Sequence, residues 1–270
     1  MAMFVHLADV VGDYLPAIQK SFFRNIVAAV IAAFVFFRAS AKSNAKRPLA
    51  IGFNNWIFLL LRAIFGTTGI VLNFYALSHI PIGDAMSLNK TAPFFTVIFS
   101  WLIIGERVSI KQIFCIFTAF IGALFVIKPG FSAGITLPAC MGLMSGLCAG
   151  SAYAFLHRLG KNGIDGSFIV LFFSVFSCVV CVPSMIIDYH PMNFMQILTL
   201  IGAGGGAAIG QFGITWAYRF AEPRQIAVYD YSGIIFAAIL GFLAFGQIPD
   251  YLSIIGFVII ISMGAYLSHS

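Results

Sequence analysis

Charge is the first thing this sequence lacks. Of 270 residues, 15 are Lys or Arg and 9 are Asp or Glu, so charged residues make up 9% of the chain. A soluble domain carries about 25%. A water-soluble globule needs polar groups over much of its exterior, so a soluble enzyme, a nucleic-acid binder and a disordered chain are all excluded. Strands that alternate apolar and polar residues, the mark of a membrane barrel, are missing too. The apolar runs are continuous instead, as in 26–37 and 254–263. Reactive cysteine is scarce: Cys115, Cys140, Cys148, Cys178 and Cys181 all lie inside apolar runs. Cys178 and Cys181 form a CxxC without further ligands nearby, so they read as small apolar filler, and neither metal nor cofactor is expected. There is no Walker-type loop, no HExxH, and no catalytic Asp pair or Ser/His arrangement at recognisable spacing. Neither an ATP-driven pump nor an enzyme is therefore expected. No basic region followed by a long apolar core opens the chain, so a cleavable signal peptide is not evident.

What is present is apolar residue in quantity: 61% of the chain is hydrophobic, and the mean hydropathy is +1.00. A bilayer-crossing helix needs about 20 mostly apolar residues, so ten spans leave about 70 residues for loops and tails, too few for a soluble domain. The predicted spans are 2–11, 17–37, 59–78, 83–104, 110–127, 137–155, 168–187, 197–218, 224–245 and 252–267. The expected fold is thus an all-α polytopic membrane protein of about ten transmembrane helices. The first span is short and carries His6 and Asp9, with Asp13 just after it. Either the true start lies upstream or the first helix is a half-span. Arg38, Lys42, Lys46, Arg47, Arg62, Arg107, Lys111, Arg158, Lys161, Arg219 and Arg224 fall on one side of this topology; Lys20 and Lys128, with Arg24 just inside span 2, fall on the other. The positive-inside rule makes the richer side cytoplasmic. With ten spans, both termini are cytoplasmic. The net charge of +6 sets topology in short loops rather than marking nucleic acid as a partner.

Shifting the sequence by 141 residues superposes spans 3–5 on spans 8–10. Gly69 meets Gly210, Ala76 meets Ala217, Phe95 meets Phe236, Gly105 meets Gly246 and Ile113 meets Ile254. The division expected is a five-helix repeat over 1–130 and another over 131–270. An odd number of spans per repeat inverts the halves in the membrane, a transporter architecture. Gly142, Gly146 and Gly150 form a GxxxGxxxG row, and Gly202, Gly206 and Gly210 a second. Both are expected to bring helix backbones close together.

The order of short motifs resembles the drug/metabolite transporter superfamily, in particular its ten-helix EamA-type families. The residues that carry the resemblance begin with Pro16 and Phe22-Phe23-Arg24-Asn25 opening span 2. Arg62 with Gly66, Tyr75-Ala76-Leu77 before Ile80-Pro81, and Ser87-Leu88-Asn89-Lys90-Thr91-Ala92-Pro93 follow, then Gly105-Glu106-Arg107. Val228-Tyr229-Asp230-Tyr231-Ser232 and Gly246-Gln247 stand in the second half. The chain departs from the family in its short first helix, and in Gly246-Gln247 where the family often has Gly-Glu. The resemblance implies a secondary carrier for a small polar metabolite, an amino acid or related compound. It also implies alternating access around a central cavity between the halves, often for export. A bacterial plasma membrane is the expected location. A passive channel or an intramembrane enzyme without a recognisable motif is the alternative.

Lys90 is the most informative residue. It lies seven residues into span 4, and a charge near mid-bilayer costs about 2.5–3.5 kcal/mol on insertion scales. Pro93, three residues on, frees backbone groups and bends the helix. Lys90 is either a binding point for a substrate carboxylate or phosphate, or half of a structural ion pair. The 141-residue shift places Asn89 on Asp230 and Lys90 on Tyr231, so Lys90 and Asp230 have matched depths. Asp230 is then the partner of Lys90, or a carrier of the coupling proton. Arg24 either snorkels to the interface or contacts an anion. Asn73, Tyr153, Trp216, Tyr229 and Tyr231 are polar or amphipathic residues inside spans that either line the site or pack. Glu106 is assigned to structure or gating. His6 and Asp9, three apart, form either a proton relay or part of a mis-started helix.

Overall fold

The structure is a computed structural model that describes residues 8, 11–12, 15–42, 52–80, 82–105, 108–128, 137–245 and 248–269. Among the described residues the regular elements are helices. They are α1 (Ala17–Lys42), α2 (Phe53–His79), α3 (Ile82–Asn89), α4 (Ala92–Ile104), α5 (Ile110–Ile127) and α6 (Leu137–Lys161). Then come α7 (Gly166–Ile187), α8 (Phe194–Phe220), α9 (Pro223–Tyr229), α10 (Ser232–Phe245) and α11 (Tyr251–His269). Seven segments among the described residues are long and apolar enough to cross a membrane: Ala17–Arg38, Phe53–His79, Asp84–Ile104, Ile110–Ile127, Leu137–Lys161, Gly166–Ile187 and Phe194–Phe220. Tyr251–Tyr266 is a shorter apolar helix. Such elements follow from the composition, because a backbone surrounded by hydrocarbon must satisfy its own N–H and C=O groups within the helix.

The helices correspond to spans 2–10 with two kinds of difference. Several run further than the apolar pattern. Helix α2 begins six residues before its predicted start at 59, and α6 continues to Lys161. Charged ends do not stop a helix whose hydrogen bonds are local; they only leave the apolar slab. The second difference is that spans 4 and 9 are each two helices, α3–α4 and α9–α10. Of span 1 only Ala8 and Val11 are described. His6, Asp9 and the length of a first helix lie outside the described residues, as do Glu106, Arg107 and the pair Gly246-Gln247.

The chain forms two compact units, each joining a segment from its first half to one from its second. One unit comprises the described residues of Met1–Phe74 together with Phe155–Phe220. In it α1 packs along α7 and α8. Ala32, Val170 and Phe212 make one apolar cluster there, and Ala8, Leu15 and Leu200 another. Two of the three glycines in the second expected row do not serve this packing. Gly206 and Gly210 are exposed, and a Cβ on Gly210 would meet nothing within 4 Å. Gly204, off that row, is the residue pressed against α1, where an added Cβ would sit 3.1 Å from the Arg24 carbonyl oxygen.

The other unit comprises Tyr75–Ala154 and Ala221–Ser270. Helix α5 lies along α11, and α9 touches α4, α5 and α11. Its core holds Val97, Cys115, Ile116, Ala119, Ala227, Val228, Tyr231, Ile234 and Ile260. The α5–α11 seam is close because Gly122 and Gly256 meet there; a Cβ on Gly122 would lie 3.0 Å from the Gly256 carbonyl oxygen. At the end of the seam the Lys128 ammonium bonds the Asp250 carboxylate. Asp250 caps α11 by accepting from the Ser253 N–H at 3.1 Å. The Lys128 hydrogen bond, followed by those from Ser253, lowers the Asp250 pKa from an ordinary 3.8 to about 2.

Candidate functional site

The site begins with two interruptions in helix hydrogen bonding. Pro93 has no N–H, so the Asn89 carbonyl loses its partner one turn ahead. The next amide adjusts as well: Phe94 N–H bonds Thr91 O at 3.1 Å, three residues back. That leaves the Lys90 carbonyl without its usual acceptor role in the helix. The second interruption has no proline. There Ile234 N–H bonds Tyr231 O at 3.0 Å, and the Asp230 carbonyl is released.

The Lys90 and Asp230 carbonyls are each capped by a side chain from the other interruption. The Lys90 Nζ donates to the Asp230 carbonyl oxygen at 2.9 Å and reaches the Asp230 Oδ2 at 3.4 Å. The Tyr231 hydroxyl donates to the Lys90 carbonyl oxygen at 3.2 Å. Tyr231 is fully buried, while the Lys90 and Asp230 side chains keep 19% and 23% of their area exposed. The three residues that sequence symmetry placed at matched depth thus form one reciprocal clasp. Backbone carbonyls at a helix C-terminus carry partial negative charge, so the ammonium is held by α9 as well as by the carboxylate.

The first glycine row builds the wall behind the clasp. On α6, a Cβ at Gly146 would sit 2.9 Å from the Leu88 carbonyl oxygen and 3.2 Å from that of Asn89. At Gly150 it would sit 2.7 Å from both Ala92 O and Thr96 N. Only hydrogen at these positions lets α6 pass against the interrupted helix. Beside it, Asn89 Nδ2 donates to Ser145 Oγ at 2.9 Å, which fixes the turn before Lys90.

The remaining sequence candidates are dispersed. Arg24 does not snorkel: it is 4% exposed and its Nη1 donates to Asn25 Oδ1 at 3.1 Å. Asn25 in turn donates to Ser177 Oγ at 3.0 Å, and Thr67 Oγ1 donates to the same oxygen at 2.8 Å. Lys20, placed at the outer end by topology, is also buried. Asn73 is half-buried, with a buried Oδ1 that has no hydrogen-bond partner among the described residues. Tyr153 is half-buried on α6. Trp216 is 53% exposed, its ring 6.0 Å from that of Phe212. Tyr229 donates its hydroxyl to Gly264 O at 3.0 Å. The feature the site candidates omitted is Arg62, 2% exposed. Its spacing from Gly66 was the available signal.

Among the described residues no group of three or more His, Cys, Asp or Glu is arranged to hold a metal ion. The five cysteines are free thiols.

The profile of the EamA-like transporter family matches residues 1–128. The pseudopaline exporter of Pseudomonas aeruginosa strain UCBPP-PA14 is 29% identical over 248 residues, covering 92% of this chain and 84% of its own. The riboflavin transporter of Brucella anthropi is 24% identical over 259 residues, covering 94% and 88% respectively. A crystal structure with 14% sequence identity shares the fold at a TM-score of 0.76 over 98% of this chain and 92% of its own. Interrupted apolar helices, a charged clasp inside them and relatives that move small molecules agree: the chain is a small-molecule membrane transporter similar to the EamA-like, drug/metabolite type, whose profile its first 128 residues match, rather than an enzyme.

Proposed function

We propose that this transporter exports a small polar metabolite, an amino acid or related compound, by alternating access across a bacterial inner membrane, with both termini in the cytoplasm. The Lys90–Asp230 clasp carries this reading. It offers one cationic and one anionic handle inside an apolar helix bundle, the two charges that a zwitterion matches. A substrate carboxylate replaces Asp230 at the Lys90 ammonium, and a substrate amine replaces Lys90 at Asp230 and its carbonyl. The exchange is near balance because a charged hydrogen bond is traded for another of its kind. Asp230, released from Lys90 during the cycle, is also the group to take up a coupling proton. The exporter among the relatives supports the outward direction.

The test is a metabolite screen in cells that overexpress or lack the protein. A compound whose extracellular level rises with expression and falls on deletion identifies the substrate, and Lys90→Ala abolishes its efflux. Saturable flux that accelerates with substrate on the far side marks a carrier. Flux linear in concentration marks a channel and overturns alternating access. Reporter fusions after Lys46 and Lys161 report cytoplasm, and one after Tyr189 the outside. An external signal at Lys46 overturns the orientation.

A further inference from the structure

The α5–α11 seam closes differently at its two ends. Gly122 and Gly256 meet along it, and the Lys128 ammonium bonds the Asp250 carboxylate at one end. Both pairs lie on one antiparallel register, which sets Lys111 next to Tyr266 at the other end. There the helices leave a groove of about 350 Å³, lined by Ile110, Lys111, Phe114, Cys115, Met263 and Tyr266. Clefts that hold small organic molecules start at about 300 Å³. Cys115 is fully buried, while Ile110, Phe114 and Tyr266 are exposed. Among the described residues of the lining, Lys111 is the one that carries charge, and it too is exposed. Glu106 and Arg107, just before it in sequence, cancel, so the local charge is +1. Depth follows from length. The 18 residues of α5 span about 27 Å at 1.5 Å each, close to the hydrocarbon thickness of about 30 Å. Lys111, second in the helix, and Lys128, just past its end, therefore stand at opposite membrane surfaces.

We propose that this groove is a binding site for an anionic phospholipid, whose phosphate bonds the Lys111 ammonium and whose acyl chain lies along Phe114, Cys115 and Met263. Charge selects the head group. At the Lys128 end the protein supplies its own carboxylate; at the Lys111 end the lining supplies none, and the single negative charge of a phosphodiester matches the lysine one for one. A zwitterionic lipid brings its own cation to the same place. Position selects lipid over a soluble anion. The cation stands at head-group level with an apolar groove running inward from it, and a free anion would meet Lys111 but leave Phe114 and Met263 uncovered. Tyr266, an aromatic body with a polar tip, suits that boundary. The groove shares no lining residue with the Lys90–Asp230 clasp, so the proposal does not depend on which solute is carried. In the proposed orientation the groove faces the cytoplasmic leaflet, the one that anionic lipids make negative.

The test uses the full chain in lipid nanodiscs, with Trp56→Phe, Trp101→Phe and Trp216→Phe, and with Tyr266→Trp as the sole reporter in the groove. Quenching of its fluorescence is measured with phosphatidylglycerol and with phosphatidylcholine, each carrying brominated acyl chains, at equal mole fractions. The expected result is that phosphatidylglycerol competes for the groove about two- to fivefold more strongly, the effect of one lysine at a membrane surface. Lys111→Gln brings that ratio to about one, while Lys111→Arg keeps it, as does Lys128→Gln at the other end of the seam. High salt lowers the ratio, because an exposed charge is screened. Glycerol phosphate added in solution leaves it unchanged. If Lys111→Gln fails to fold, Ile110→Glu decides, since a carboxylate on that exposed neighbour must abolish the preference. If the reporter chain fails to fold, native mass spectrometry of the unsubstituted chain and of Lys111→Gln counts the phosphatidylglycerol each retains, with fewer molecules expected on the variant. Equal quenching by the two lipids overturns the proposal, and so does a preference that survives Lys111→Gln. Absence of quenching by either lipid overturns it in favour of a second copy or another protein segment over the groove. Loss of the preference on adding glycerol phosphate overturns it in favour of a soluble-anion site.

Discussion

The two compact units bury charge by different means. In the unit holding α1, α2, α7 and α8, each helix is one continuous element, with Pro183 inside α7, and several polar bonds join side chain to side chain. Arg24 bonds Asn25, Asn25 and Thr67 converge on Ser177, and Arg62 bonds Gln211. In the unit holding α3–α5 and α9–α11, two helices are interrupted, and the principal bonds join a side chain to a freed carbonyl. Lys90 approaches the Asp230 carbonyl more closely, at 2.9 Å, than its carboxylate, at 3.4 Å. The first arrangement depends on which side chains are present. The second depends on backbone geometry, and on the glycines of α6 that permit it. A cation can therefore be accommodated among apolar helices either by spending polar side chains or by opening a helix.

The largest expected effect falls on the interrupted helices. Lys90→Ala and Asp230→Ala each insert but lose transport by at least about tenfold, the consequence of removing one charge-assisted hydrogen bond worth about 1.5–3 kcal/mol. A doubly neutral variant is recovered in higher yield than either alanine variant, because no lone charge remains. Measured uptake into vesicles and yield after extraction check this. Full transport by Lys90→Ala would remove the functional half of the contrast.

Gly150→Ala comes next. Its Cβ would lie 2.7 Å from two backbone atoms of α4, which cannot swing aside as a flexible side chain can. A loss of about 3 kcal/mol, the upper end for overpacking, is expected in thermal or denaturant unfolding. In the uninterrupted unit Ser177→Ala leaves the donors of Asn25 and Thr67 without their shared acceptor. The expected loss is smaller, about 1–2 kcal/mol. If Ser177→Ala destabilises more than Gly150→Ala, the backbone is not the costlier element and the contrast fails.

The smallest effect lies at the exposed end of the α5–α11 seam, where neither device operates. The Asp250 carboxyl, held at about 2 by Lys128 and Ser253, is depressed in the folded state. Its contribution is therefore present above the unfolded value of 3.8 and fades as the pH falls toward about 2. Asp250→Asn lowers the melting temperature slightly at pH 7. The gap between variant and wild type narrows from about pH 4 downward. A gap independent of pH would show that the cap on Ser253, rather than the charge, stabilises this end.

Much of the fold was legible because hydrocarbon imposes helices on any long apolar run, so spans 2–10 follow from hydropathy alone. The clasp was legible for a narrower reason. Lys90 is conspicuous as a charge in an apolar run, and the 141-residue shift brought Asp230 and Tyr231 to its depth. Gly142, Gly146 and Gly150 were legible as a packing row. Gly206 and Gly210 had the same spacing yet are exposed, since spacing shows that residues share a face without showing what the face meets.

The sequence by itself determined that these 270 residues form a bundle of membrane helices, and which charges lie far from a helix end. These follow from local quantities: hydropathy, span length and the missing amide of Pro93. Only the tertiary structure decided that there is a second interruption without a proline, where Ile234 N–H bonds Tyr231 O and the Asp230 carbonyl left over is capped by the Lys90 ammonium from 140 residues away in sequence. It also decided that Arg24 is buried and that Arg62 lies over the Phe173 ring. A side chain's partner across a helix interface depends on how two helices meet, and a one-dimensional pattern does not contain that geometry.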